Sequence, residues 1–143
     1  MNFRSLNSMH ILRAAWPALF LVVLGGCAGG PFQIGGDAGA EATLYIFRAP
    51  GGMPGRYPKE VLIDGKSLGS LVNGGYFRVR LSPGNHVIST PSANKAKLEL
   101  RAEKGASYYI SQEVIPANPP YILINRVGEK FGKPYVEHSR RLY

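Results

Sequence analysis

One cysteine, three histidines and nine acidic residues in a chain of 143 leave little material for a reactive centre. Cys27 has no second cysteine to pair with, which excludes an intrachain disulfide framework. His86 and His138 are far apart, with no cysteine or paired carboxylates beside them, so metal-ligand spacing is missing. The apolar run Ala14 to Leu24 is 11 residues long, and a membrane-spanning helix needs roughly 20. After residue 40 no stretch has a convincing helical period, and the part from Gly128 onward fits neither period clearly.

What is present begins with an address. Arg4 and Arg13 are the only charged side chains before Cys27, and the short apolar run follows them, interrupted by Pro17. A basic start, a short apolar middle and small residues at the cut describe a signal peptide over residues 1–26. Leu24-Gly25-Gly26-Cys27 resembles the bacterial lipobox, in which a diacylglyceryl group is joined to the cysteine sulfur before cleavage on its amino side. The resemblance implies that Cys27 is acylated and that the chain's first partner is a lipid bilayer. One acyl chain holds a protein only marginally, and two or more hold it stably. Ala28 stands where an aspartate retains Gram-negative lipoproteins at the inner membrane, which implies the outer membrane, facing the periplasm. Export also argues against nucleic acid as a partner.

Of the 17 basic residues two precede Cys27 and none of the nine acidic ones does, so the mature chain carries about +6 (15 − 9). Such a charge suits anionic headgroups or acidic polymers. Residues 28–40 (AGGPFQIGGDAGA) are rich in Gly and Ala without periodicity. Together with Cys27 they read as a flexible tether, at most about 40 Å when stretched. Residues 41–143 then suit one β-sandwich domain with a basic C-terminal tail.

From Glu41 onward, Gly, Pro and Asn punctuate segments rich in Val, Ile, Tyr and Phe. The pattern predicts strands near 42–48, 60–64, 67–71, 76–81, 86–90, 95–103, 107–114 and 121–126. Phe77, Val79 and Leu81 alternate with Arg78 and Arg80, and Leu98 and Leu100 alternate with Lys97, Glu99 and Arg101. Period two with one charged face is the half-buried antiparallel pattern. The expected class is all-β, a small antiparallel β-sandwich of about seven or eight short strands.

Within it, Gly65-Lys66-Ser67-Leu68-Gly69 matches the G-x-S-x-G of serine hydrolases. A nucleophile elbow requires a helix after the serine, yet LGSLVNGGYFRVRL follows, with three glycines and then strand alternation. A phosphate loop fails because Glu60 occupies the place of its first glycine. Asp64-Gly65 is instead a hairpin turn pair, and Pro83-Gly84-Asn85 repeats the device. No pair of groups able to perform acid–base or nucleophilic chemistry emerges, so the expectation is a non-enzyme without cofactor or metal.

The stretch VLIDGKSLGSLVNGGYFRVRLSPGNHVIST, residues 61–90, with SYYISQEV at 107–114, resembles a domain-of-unknown-function family of small bacterial envelope lipoproteins and the related PEGA-type surface domains. The likeness covers roughly residues 42–126 and implies a sandwich akin to transthyretin-like and carboxypeptidase-regulatory modules. It brings no activity with it.

Candidate binding residues come from two places. Tyr76, Arg78 and Arg80 share the outer face of one strand, and Tyr and Arg are enriched in binding hot spots. The ordinary alternative is a solvated sheet face. Arg56 and Tyr57 belong to the Pro- and Gly-rich loop 49–60, long for a hairpin connection. The tail 133–143, with Lys133, His138, Arg140 and Arg141, reads as a disordered basic terminus, the alternative being a segment that lies on anionic headgroups or becomes ordered on a partner. The expected role is a membrane-anchored envelope lipoprotein with an accessory, structural or protein-interaction function. The alternative is a binding module for cell-wall glycan or another anionic envelope component.

Overall fold

The computed structural model describes residues 32–34, 41–51 and 57–142. The described residues hold ten short strands, most of them drawn from segments rich in β-branched and aromatic residues, and they assemble into two sheets. The first holds β1 (Phe32–Ile34), β5 (Gly75–Leu81), β2 (Ala42–Phe47), β8 (Ser107–Ile115) and β9 (Tyr121–Val127), in that order, with β10 (Arg140–Arg141) also paired to β5. The second has the order β4 (Lys66–Leu71), β3 (Lys59–Ile63), β6 (Gly84–Ser89), β7 (Lys97–Ala102).

Leu44, Ile46, Phe77, Val79, Leu81 and Ile110 of the first sheet pack against Val61, Ile63, Leu68, Leu71, Ile88 and Leu100 of the second. Full burial of one such side chain is worth about 1.5–3 kcal/mol, so this shared layer is the main force holding the sheets together. The all-β sandwich is as the alternation predicts. All eight expected strands are present, each within two residues of its expected ends.

Three features depart from the expectation. The first sheet is mixed, not purely antiparallel. β8 pairs parallel to β2 (Thr43 opposite Ser107, Phe47 opposite Ser111), because the chain crosses into the second sheet and back between them. Next, β1 falls inside the stretch read as a tether, paired parallel to β5 with Phe32 opposite Val79. Three residues in parallel pairing need a partner to exist, and periodicity cannot reveal them.

Finally, the basic tail is ordered. It forms α1 (Glu129–Glu137) and then β10, whose Arg140 and Arg141 lie opposite Gly75 and Tyr76. Gly132 and Pro134 sit inside α1, and both disfavour a helix in isolation. Packing supplies what propensity lacks. Phe47, Tyr109 and Val136 form a second buried cluster beneath the helix, and the rings of Phe47 and Tyr135 stack at 5.4 Å.

Both Asp64 (φ 51°) and Gly65 (φ 77°) occupy the left-handed region. That makes the connection between β3 and β4 the tight hairpin turn the dipeptide predicts.

Candidate functional site

β5 is buried at every odd position, so its even residues emerge on the face of the first sheet remote from the sandwich interior. Tyr76, Arg78 and Arg80 are thereby brought together, as alternation predicts. Pairing with β2 sets Tyr45 beside Arg78 and Thr43 beside Arg80. Tyr45 in turn stacks on Tyr109 at 5.1 Å and tilts toward Tyr76 at 6.4 Å. Burial, then the charges of Glu129, Tyr45 and Glu137, push the Tyr109 hydroxyl above the ordinary tyrosine value.

Where the face turns basic, Glu41, Thr43, Arg78 and Arg80 line an open concavity of about 260 Å³. Arg80 Nη1 lies 3.7 Å from Glu41 Oε2, and the Glu41 side chain is only 5% exposed. Among the described residues, Arg78 Nε and Glu41 Oε1 are buried without a hydrogen-bond partner. A buried N–H on a charged group is costly to leave unpaired, so a shift of the Arg78 side chain that exposes Nε would offer a donor to an acceptor in the concavity.

Tyr57 stands elsewhere. It is 71% exposed, and its carbonyl accepts a hydrogen bond from Arg48 Nη1 at 2.8 Å, near the ends of β2 and β4. The guanidinium of Arg48 also donates to the Leu71 carbonyl at 3.4 Å. Burial lowers the Arg48 pKa from the ordinary guanidinium value, and an arginine remains charged nonetheless. Cys27 and Arg56 lie outside the described residues.

The G-x-S-x-G segment takes its place in the second sheet. Ser67 on β4 donates to Glu60 Oε1 at 2.6 Å across to β3. His86 is on β6, beyond β3, where its Nδ1 lies 2.7 Å from Asp64 Oδ2 and its Nε2 2.8 Å from the Ser82 carbonyl. Serine and histidine are thus held by different carboxylates on opposite sides of one strand. Among the described residues no group of three or more His, Cys, Asp or Glu is arranged to hold a metal.

The Asp64–His86 contact escaped sequence reasoning because the residues are 22 positions apart and meet only through sheet pairing. Asp64 Oδ1 also accepts from the Val87 N–H at 2.8 Å. Burial pulls the Asp64 carboxyl upward, but the hydrogen bonds from His86 and Val87 and the charges of His86 and Lys66 outweigh it. The net position is below the ordinary carboxylate value.

The fold and this face define a small mixed β-sandwich whose outer surface carries an aromatic row beside a basic concavity. Residues 38–123 match the family described as Protein of unknown function (DUF2846), and the chain belongs to that family. The match takes in β2 through β8 and the start of β9, whereas β1, α1 and β10 lie outside it. Among curated proteins no match is found.

Proposed function

We propose that the protein is a bacterial envelope lipoprotein, anchored through acylated Cys27 and serving a non-catalytic accessory or interaction role. The observation that carries this reading is Leu24-Gly25-Gly26-Cys27 directly after a short apolar run with a basic start. Membership of a family described only as of unknown function is compatible with it. The likeness of residues 61–90 to envelope lipoproteins and PEGA-type surface domains supports it further. Localisation at the outer membrane, facing the periplasm, follows from Ala28 within the same proposal.

The experiment is fatty-acid labelling in cells. The native chain takes up labelled acyl groups and runs as a cleaved product, while Cys27→Ala accumulates as an unlabelled precursor. Equal labelling of the two chains would sink the anchor. Photo-crosslinking from positions 56 and 78 then addresses the role, and a discrete protein adduct supports the accessory reading.

A second reading, a module for cell-wall glycan or another anionic envelope component, is favoured by one observation. The buried, unpartnered Arg78 Nε belongs to a residue lining the basic concavity. Crosslinks found in insoluble cell-wall material would favour this reading over the first.

A further inference from the structure

The strand β1 changes what the anchor can do. If residues 28–40 were all free, the domain would stand well off the membrane. Instead Phe32 is already paired to β5, so only residues 28–31 separate the domain from Cys27. Five Cα steps reach about 18 Å at full extension, so the edge that carries β1 is held within that distance of the bilayer. Contact between that edge and the headgroups lies within the tether's reach.

β1 and β10 share one edge of β5, since β2 occupies the other. Arg141 lies opposite Tyr76 and Phe32 opposite Val79, about 10 Å apart along the strand. The exposed Arg140 and Arg141 therefore lie within the region the short tether brings to the membrane.

From that edge the chain leads back to α1, which lies on the outer face of the same sheet. Phe131 is 68% exposed and Tyr135 49% exposed, one helical turn apart, and Lys130 and Lys133 are exposed beside them. Glu129 and Glu137 also belong to α1, and Glu129 lies 3.9 Å from Lys133. Arg78 adds positive charge on the sheet face itself. Exposed aromatics flanked by lysine and arginine match the headgroup layer of an anionic membrane, where rings enter the interface and cations meet phosphate.

We propose that the α1-bearing face of the first sheet lies on the anionic bilayer to which Cys27 anchors the chain, with Phe131 in the headgroup layer and Lys130, Lys133, Arg140 and Arg141 on lipid phosphates. This rests on the lipoprotein reading above. It makes the domain a membrane-apposed plate whose second sheet faces away from the lipid.

The test uses the full chain purified from bacteria and reconstituted in vesicles of phosphatidylethanolamine and brominated phosphatidylglycerol. Trp16 is the only tryptophan and precedes Cys27, so a cleaved Phe131→Trp chain carries a single reporter. Val87→Trp is the control, because Val87 is exposed on β6 of the second sheet. The expected result is quenching several-fold stronger for F131W than for V87W. Lys130→Glu with Arg140→Glu should lower the F131W quenching to the control level.

Equal quenching at the two positions, or none at either, would overturn the orientation. A response of F131W to soluble cell-wall fragments but not to lipid would also overturn it. The mass of the purified chain reads the anchor separately. An unacylated Cys27 overturns both readings, whereas an acylated chain with an unquenched F131W indole overturns this one alone.

Discussion

Gly132 of α1 rests directly on the ring of Tyr109, so closely that an added Cβ would fall 2.4 Å from the Tyr109 Cβ and 2.6 Å from Cγ. The helix and the outer face of the first sheet meet there without space for a methyl group. Two effects compete in Gly132→Ala. Alanine favours a helix over glycine by about 1 kcal/mol, and overpacking costs about 1–3 kcal/mol. Because the obstructing atoms include the base of the side chain, the ring cannot simply swing aside, and the steric cost wins. Urea unfolding should show G132A less stable than the native chain by about 1–2 kcal/mol. A gain in stability would mean that α1 is not seated on Tyr109.

How much of this was legible beforehand follows from the same contact. The eight strands from β2 to β9 announce themselves either by alternation, as Phe77, Val79 and Leu81 show against Arg78 and Arg80 in β5, or, as in β8, by a run rich in Tyr, Ile and Val bounded by turn residues. α1 does not, since Gly132 and Pro134 blur its period and its stability comes from Phe47 and Tyr109, far away in sequence. β1 and β10 are too short to alternate and exist only against β5. The candidate face was legible for Tyr76, Arg78 and Arg80, which one strand places side by side. It was not legible for Glu41, Tyr45 and Tyr109, which pairing across strands adds.

Asp64 ties the β3–β4 turn to β6, and this tie depends on charge. Its carboxyl pKa is lowered from the ordinary 3.8, so the folded state holds the ionised form more firmly than the unfolded state does. The stability it contributes is fully present above the unfolded value and is lost as pH falls through the folded one. Urea midpoints should therefore be steady through neutral pH and fall once the pH drops below about 4. Asp64→Asn should lower stability at neutral pH, and its deficit should narrow in acid. A deficit that stays constant down to strongly acidic pH would show that the carboxylate charge is not what binds the turn to His86.

Ser67 offers a check on the hydrolase-like motif. Its hydroxyl is exposed and bonded to Glu60, so Ser67→Ala removes one surface hydrogen bond and should change stability by no more than about 0.5 kcal/mol. Generic ester and peptide substrates should be hydrolysed no faster with the native chain than with S67A. Hydrolysis abolished by S67A would make the turn a catalytic element and overturn the non-catalytic reading.

Arg78 and Arg80 share a face but not a role, and a binding test must separate them. Arg80 faces Glu41, a carboxylate whose side chain is 5% exposed. Arg80→Glu sets two acidic groups against each other there, and although the Arg80 side chain is 37% exposed, the largely buried Glu41 loses its neighbouring cation, which is destabilising. Loss of binding in R80E would thus be confounded with loss of fold. Among the described residues Arg78 makes no ion pair to Glu41 of this kind, and its buried Nε has no hydrogen-bond partner. Arg78→Glu should leave the unfolding midpoint closer to native than R80E does, while weakening any saturable binding of soluble cell-wall fragments by at least about tenfold, the ratio that 1.4 kcal/mol represents. Isothermal titration of both variants alongside the native chain checks this. Binding that survives R78E in a folded chain would move the ligand away from the concavity and leave the face to the membrane.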